Sequence, residues 1–398
     1  MTRKTRIITL ALATSISAAG LIARAGDLNP PPGPVGPTMK TLSEVEARVA
    51  INATNTPGDG DSHFKITQPG SYYLTGNVTG VAAKHGIEID GSGVTLDLGG
   101  FDLLGVAGSL DGVSATAAGL TNIAVVNGSI RNWGDEGVDL ASSNTLDCRV
   151  EGVLASGNAG VGIGIGQGTV SNCSAYQNTA YGIITNSGST ITNCSAYFNT
   201  QSGFYADYGS MVSHCSGINN GGRGIFVSNG CTVTDSSARA NTLEGIMVGS
   251  GCAVSNCTAY QNTASGIRTA TGCTVTGCTV YLNTLDGIEC SYACVIRGNT
   301  CSYNGNGGGD GAGIHIMAAD NHIEGNNCTG ADRGIDVDSA GNIIIKNTCA
   351  NNTVDWAIVA SNVFGPIIDR RAPASAAVSG FSAASSLGST DANANFSY

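Results

Sequence analysis

Between Phe64 and Pro366 apolar and polar residues alternate for a few positions, break at Asn, Gly or Ser, and start again. Ile225-Phe226-Val227 and Val233-x-x-Ser236-x-Ala238 are two such runs. A period of two over so few residues predicts short β-strands and excludes helices across the region. The runs also recur. Val170, Ile191, Val212, Val233, Val254, Val275 and Ile296 stand 21 apart. The same step carries Cys173, Cys194, Cys215, Ser236, Cys257 and Cys278, with Asn178, Asn199, Asn220, Asn241, Asn262 and Asn283 five residues behind. Gly182, Gly203, Gly224, Gly245, Gly266 and Gly287 keep it too, each ahead of an apolar residue. The period loosens later, where Cys301, Cys328 and Cys349 mark three further repeats.

A unit this short cannot bury its own core, so successive units must stack. Parallel, in-register stacking at ~4.8 Å turns each inward position into a column of like residues. The Asn column suits a tight turn that tolerates left-handed backbone and bonds its copies above and below. By the same logic the Gly column is expected to need positive φ. About three strands per coil, with no hexapeptide period, favour a right-handed solenoid of about a dozen coils, roughly 60 Å long.

At this point the chain resembles the parallel β-helix repeats of the pectin-lyase-like superfamily. The stretches GIEIDGSGVTLDLGGFDLLG and GNIIIKNTCANNTVDW are similar to the first and last coils of exported bacterial members. The resemblance implies an all-β, right-handed parallel β-helix over 64–366. Many relatives have no assigned activity, so it implies no particular reaction.

Composition adds compartment and charge. Arg3, Lys4 and Arg6, an apolar run over Ile7–Ala19 and Ala23-Arg24-Ala25 read as an export signal over 1–25. A Pro-rich linker and N-terminal cap then fill 26–63, where Thr41–Arg48 suits one short helix. An Ala/Ser-rich tail over 367–398 is either disordered or packed on the solenoid wall. The protein is expected to be secreted or held in the cell envelope. No stretch has the length of a membrane span. Net charge is -11, and losing the four basic residues of the leader makes it -15. Such a surface repels phosphate backbones, which argues against nucleic acid as a partner.

Fourteen cysteines in an exported chain raise the question of disulfides. Cys231, Cys252, Cys273 and Cys294 form a second column that alternation points inward. Stacked, parallel Cβ atoms are ~1 Å too far apart to bridge without adjustment, which favours free, buried thiols. Cys252 with Cys257 and Cys273 with Cys278 are the alternative pairs. A straight column cannot wrap a tetrahedral zinc ion.

Candidate chemistry lies on an outward column that reads Ile184, Tyr205, Phe226, Met247, Arg268, Glu289, His315, Asp336. Its second half places Arg268, Glu289, His315 and Asp336 on four successive rungs. Asp286 and Arg333 lie just earlier on their rungs, and the insertion Asn304–Gly311 stands beside His315 as a cleft wall would. A polysaccharide lyase or epimerase needs a base and a cation beside a uronate, roles open to His315, Arg268 or Arg333. A glycoside hydrolase needs two carboxyls, for which Glu289 and Asp336 are the pair, ~9.6 Å apart by stacking. The same alternation of charge is what a surface salt-bridge ladder selects. The sequence motifs of polygalacturonases, pectate lyases and mannuronan epimerases are absent. The expectation is therefore a non-catalytic scaffold that contacts polysaccharide along one face, with an enzyme of these classes as the alternative. No cofactor is implied. Calcium held by carboxylates is the one ion the composition leaves open.

Overall fold

The computed structural model describes residues 47–305, 309, 311–369 and 391–398. The expected leader, most of the linker with its short helix, and the greater part of the Ala/Ser-rich tail lie outside them. Residues Arg48–Tyr398 form one compact unit built as a parallel solenoid. One sheet holds 14 strands, from Ser62–Ile66 to Val354–Ile358, one strand per rung. The other holds 28 strands, two from each regular coil. A single coil shows the plan: Ile183–Thr185 belongs to the first sheet, and Thr190–Thr192 with Ser195–Tyr197 to the second. Ile183 pairs with Phe204, Ile191 with Val212, and Ala196 with Gly217, as the 21-residue register requires. The 14 rungs exceed the expected dozen because a step close to 21 residues fits about fourteen times between Ser62 and Ile358; the second sheet also starts early. Val49–Ala50 already pairs with Tyr72 and Tyr73, ahead of the Phe64 boundary. At the other end Asn395–Ser397 from the tail pairs with Ile367–Asp369 and Thr348–Cys349, closing the last coil rather than covering a wall.

Three left-handed residues per coil turn the chain between its strands, for example Gly188, Asn193 and Phe198. Each is followed by an inward residue that can hydrogen bond: Ser189, Cys194 and Asn199. The sequence reading gave the left-handed backbone to the Asn column, but it belongs to the residue in front, Gln177, Phe198, Asn219 or Ala240. The buried Asn side chains form a ladder instead. Asn199 Nδ2 donates to Asn220 Oδ1 at 3.1 Å and Asn220 Nδ2 to Asn241 Oδ1 at 3.0 Å. Each Oδ1 also takes the backbone N–H of the preceding rung, as from Asn199 to Asn220 at 3.1 Å. Buried amides are thereby paired all along the axis, which the solenoid interior demands.

The Gly column likewise serves a different purpose from the one expected. Gly224 does not sit at positive φ; a Cβ there would stand 2.7 Å from Ala238 Cβ and Asn241 Nδ2 and 2.8 Å from Gly245 O. Close packing against the Asn ladder selects the glycine.

All fourteen cysteines are buried and free, the two candidate pairs included. They occupy three columns and two single positions. Cys301, Cys328 and Cys349 stack on one another in line with Val280, not with Cys278. The Cys173 column passes instead to Asn299, whose Oδ1 takes the Cys278 N–H at 2.9 Å. The corner thiols behave as the Asn side chains do. Cys252 Sγ accepts the Cys231 N–H at 3.3 Å and donates to Ser228 O at 3.1 Å. Burial pushes the Cys148 and Cys290 thiols up, which keeps them protonated.

Candidate functional site

The outer face of the 14-stranded sheet carries the column read from the sequence, in the register read from the sequence. Met247 pairs with Arg268, Arg268 with Glu289, Glu289 with His315, and His315 with Asp336. The four charged side chains are thus neighbours, yet each is tied to another partner. Arg268 bridges Glu244 and Glu289, at 3.3 Å to each. Glu244 also holds Arg223 at 2.8 Å, and Ser265 Oγ donates to Glu289 at 2.9 Å. His315 lies 3.1 Å from Asp286 through Nδ1 and 3.1 Å from Asp338 through Nε2. Asp286 lifts the imidazole to about 9, so at neutral pH it is an imidazolium donating from both nitrogens. Arg333 pairs with Asp336, whose carboxyl is raised by burial against that pull. The Asn304–Gly311 insertion is pinched at its neck, where Gly305 packs on Gly311. Ala312 N then donates to Asp286 Oδ1 at 2.7 Å. Concavities of about 430 and 510 Å³ lie elsewhere, lined by His214 and Asp235 or by Gln167 and Asp207, and hold none of the four.

Among the described residues, two groups of side chains could gather around a cation, Asp59 with Asp61 and Glu88, and His315 with Asp336 and Asp338. Each already contains a positive charge. Lys65 Nζ sits 3.0 Å from both Asp59 and Glu88, and the second group has His315 itself and Arg333. A metal ion would have to displace a charge in place.

Residues the sequence reading passed over complete the face. Tyr181, Ser202, Arg223, Glu244 and Ser265 stand one place before the glycines of the Gly column, 21 apart and in line with the Asp286 already read. The periodicity one position upstream would have found them. Tyr181, Tyr205 and Phe226 make an aromatic strip midway along the face, partly exposed. Their rings are tilted: Tyr181 to Tyr205 by 52° at 5.9 Å and Tyr205 to Phe226 by 57° at 5.2 Å. The aromatics of the 28-stranded sheet differ. Tyr176 lies on Tyr197 at 4° and 5.1 Å, and Tyr260 on Tyr281 at 13° and 5.4 Å. Stacked rings hide their faces on one another; tilted rings leave theirs to other partners. On the N-terminal side of the strip Asp111, Asp135, Glu136 and Asp139 crowd together. Burial and these three neighbours push Glu136 up to about 8, and its buried Oε2 has no hydrogen-bond partner.

Comparison with known proteins bears on the fold. The profile of the family described as "Right handed beta helix region" matches residues 111–259 and 244–370, more than half of the chain. The chain belongs to this family. No curated protein sequence matches this β-helix chain. Among solved structures it is similar to the A-module of the mannuronan C-5 epimerase AlgE6 from Azotobacter vinelandii. They share 16% identity at a TM-score of 0.53, over 71% of this chain and 91% of that one. It is also similar to the periplasmic alginate epimerase AlgG, at 12% identity and a TM-score of 0.49, over 75% and 83%. At 16% identity the likeness of the β-helix chain to the A-module is one of fold.

Proposed function

We propose that this β-helix protein is exported and binds polysaccharide, without catalysis, along the outer face of its 14-stranded sheet. The observation that carries this reading is the tilted strip of Tyr181, Tyr205 and Phe226. Pyranose rings present C–H faces that pack on aromatic faces, and the partly exposed rings of Tyr181 and Tyr205 are tilted away from their neighbours on successive rungs of this face, while Phe226 beside them carries the Arg223 guanidinium over its ring. Rungs ~4.8 Å apart are close to the length of one sugar residue, so an extended chain can run along the axis. The non-catalytic part of the reading is supported by Arg268, Glu289, His315 and Asp336, all engaged in ion pairs. The structural relatives named as epimerases lend the broader setting. Binding of the protein to a glycan array, compared with the double variant Tyr205→Ala, Phe226→Ala, tests the reading. Binding that falls at least tenfold in the variant supports it; binding unchanged in the variant moves the site off this face.

A second reading is favoured by Glu136. A carboxyl neutral at pH 7, two rungs before Tyr181 on the same sheet and near the carboxylate of Asp139, is what a general acid for glycosidic cleavage requires. Turnover of a polysaccharide that is abolished by Glu136→Gln, with the melting temperature retained, would establish this reading; no turnover by either form removes it.

A further inference from the structure

The same face narrows the chemistry of the chain it can hold, and the argument here rests on the glycan-binding reading above. A polyuronate brings one carboxylate per sugar, and a face that takes it must supply spare cations. The cations bordering the aromatic strip are spent. Arg223 is held by Glu244 at 2.8 Å while its guanidinium lies over the Phe226 ring, 4.9 Å from the centroid. Arg268 is shared between Glu244 and Glu289. Those acids cannot give their partners up cheaply: the side chain of Glu244 is only 9% exposed and that of Glu289 13%. An arginine turned outward to a uronate would leave a carboxylate desolvated and unpaired beneath it.

On the other side of the strip the balance is worse for an anion. Asp111, Asp135, Glu136 and Asp139 stand there, and the nearby His85 is itself bound to Asp111 at 3.1 Å. Burial first, and then the charges of Asp139, Asp111 and Asp135, keep Glu136 from ionising, and a further negative charge meets those same three carboxylates. The chain as a whole carries -11, which repels a polyanion before contact.

We infer that the ligand of this face is a glycan without carboxylates, an uncharged pyranose polymer lying over Tyr181, Tyr205 and Phe226 between two zones of closed ion pairs and acids. Selectivity then comes from what the face refuses as much as from what it stacks on.

Affinity electrophoresis or calorimetry with a mixed-linkage β-glucan and a galactomannan, against polymannuronate and polygalacturonate of similar length, tests the inference. At 50 mM salt the neutral polymers are expected to bind at least tenfold more tightly, and the gap should narrow as salt rises and screens the repulsion. A variant adds a gain of binding. Glu244→Gln takes the carboxylate from Arg223 and leaves Arg268 with Glu289 alone, so polyuronate affinity should rise several-fold while neutral-glycan affinity holds, with the melting temperature as the check on folding. Uronates bound as well as neutral chains by the wild type, with loss on Tyr205→Ala, would overturn the inference and leave the glycan reading standing. Absence of binding to all four polymers would overturn the glycan reading itself, and the inference with it.

Discussion

His315 shows how far a single titrating group is fixed by its partners. Asp286, Asp338, Asp336 and, one rung back, Glu289 face it, and the first of these raises it from 6.5 to about 9. A raised pKa means that the folded state holds the proton more tightly than the unfolded one. The contribution is therefore complete below about pH 6.5 and is lost as pH climbs through 9, with a ceiling of about 3 kcal/mol. Urea midpoints measured at pH 6 and pH 10 should fall further for the wild type than for His315→Gln; equal falls would mean the ring is not protonated in the fold. Gly224 makes the opposite kind of point, since its role is steric. Gly224→Val drives a Cβ into Ala238, Asn241 and Gly245 and should cost about 3 kcal/mol or more. The replacement Asn219→Gly, at a position that does use positive φ, should cost little or even stabilise. Thermal melts of the two variants separate crowding from backbone strain.

Strands of three residues with three corners per coil put most of the specification into the corners. The strand columns were legible from the sequence because alternation and a fixed step survive in every repeat. Corner chemistry was legible only in part, because Ser, Cys and Asn share the same task there. Ser189, Ser210, Cys231, Cys252, Cys273, Cys294 and Asn321 follow one another in one column, and Ser189, Ser210, Cys231, Cys252 and Asn321 each accept the N–H of the rung before. A residue-type search breaks that column into pieces. Equivalence of task predicts the cost of substitution. Cys252→Ser keeps the acceptor for Cys231 N–H and should change stability by about 1 kcal/mol or less. Cys252→Val strands that buried N–H and should cost about 2 kcal/mol. Chemical denaturation of the pair is the measurement, and similar losses in both would assign the thiol a packing role alone. The candidate site divides in the same way. Its outward register followed from the period, while its neutralisation depended on Glu244, Arg223 and Asp338, which lie off the column that was read.

At the scale of the whole solenoid, the stacked coils enclose an interior that is closed by their own ladders. Fourteen thiols sit inside it, each buried and most of them on adjacent rungs. An oxidant reaches them only when the stack opens, so the native protein should react with few or none of a thiol reagent's equivalents. Under denaturing conditions about fourteen should react; a lower number would report disulfides formed by crossing between rungs.

The register of the stack also makes length an adjustable quantity. Ile225 pairs with Phe204 behind it and Ile246 ahead of it, and the residues of one rung repeat the tasks of the next. Removing the block from Gly203 to Arg223 would bring Gly182 against Gly224, Ile183 against Ile225 and Asn199 against Asn241, every column meeting its own kind. The protein would then be a shorter ruler of the same design, by ~4.8 Å. A residue gained or lost inside a strand would send the inward side chains after it outward up to the next corner, whereas the corners absorb such a change, as the 20-residue step from Ile163 to Ile183 shows. Gain and loss of whole coils is thus open to this chain as a way of changing reach, while most smaller changes of length inside the strands are closed to it.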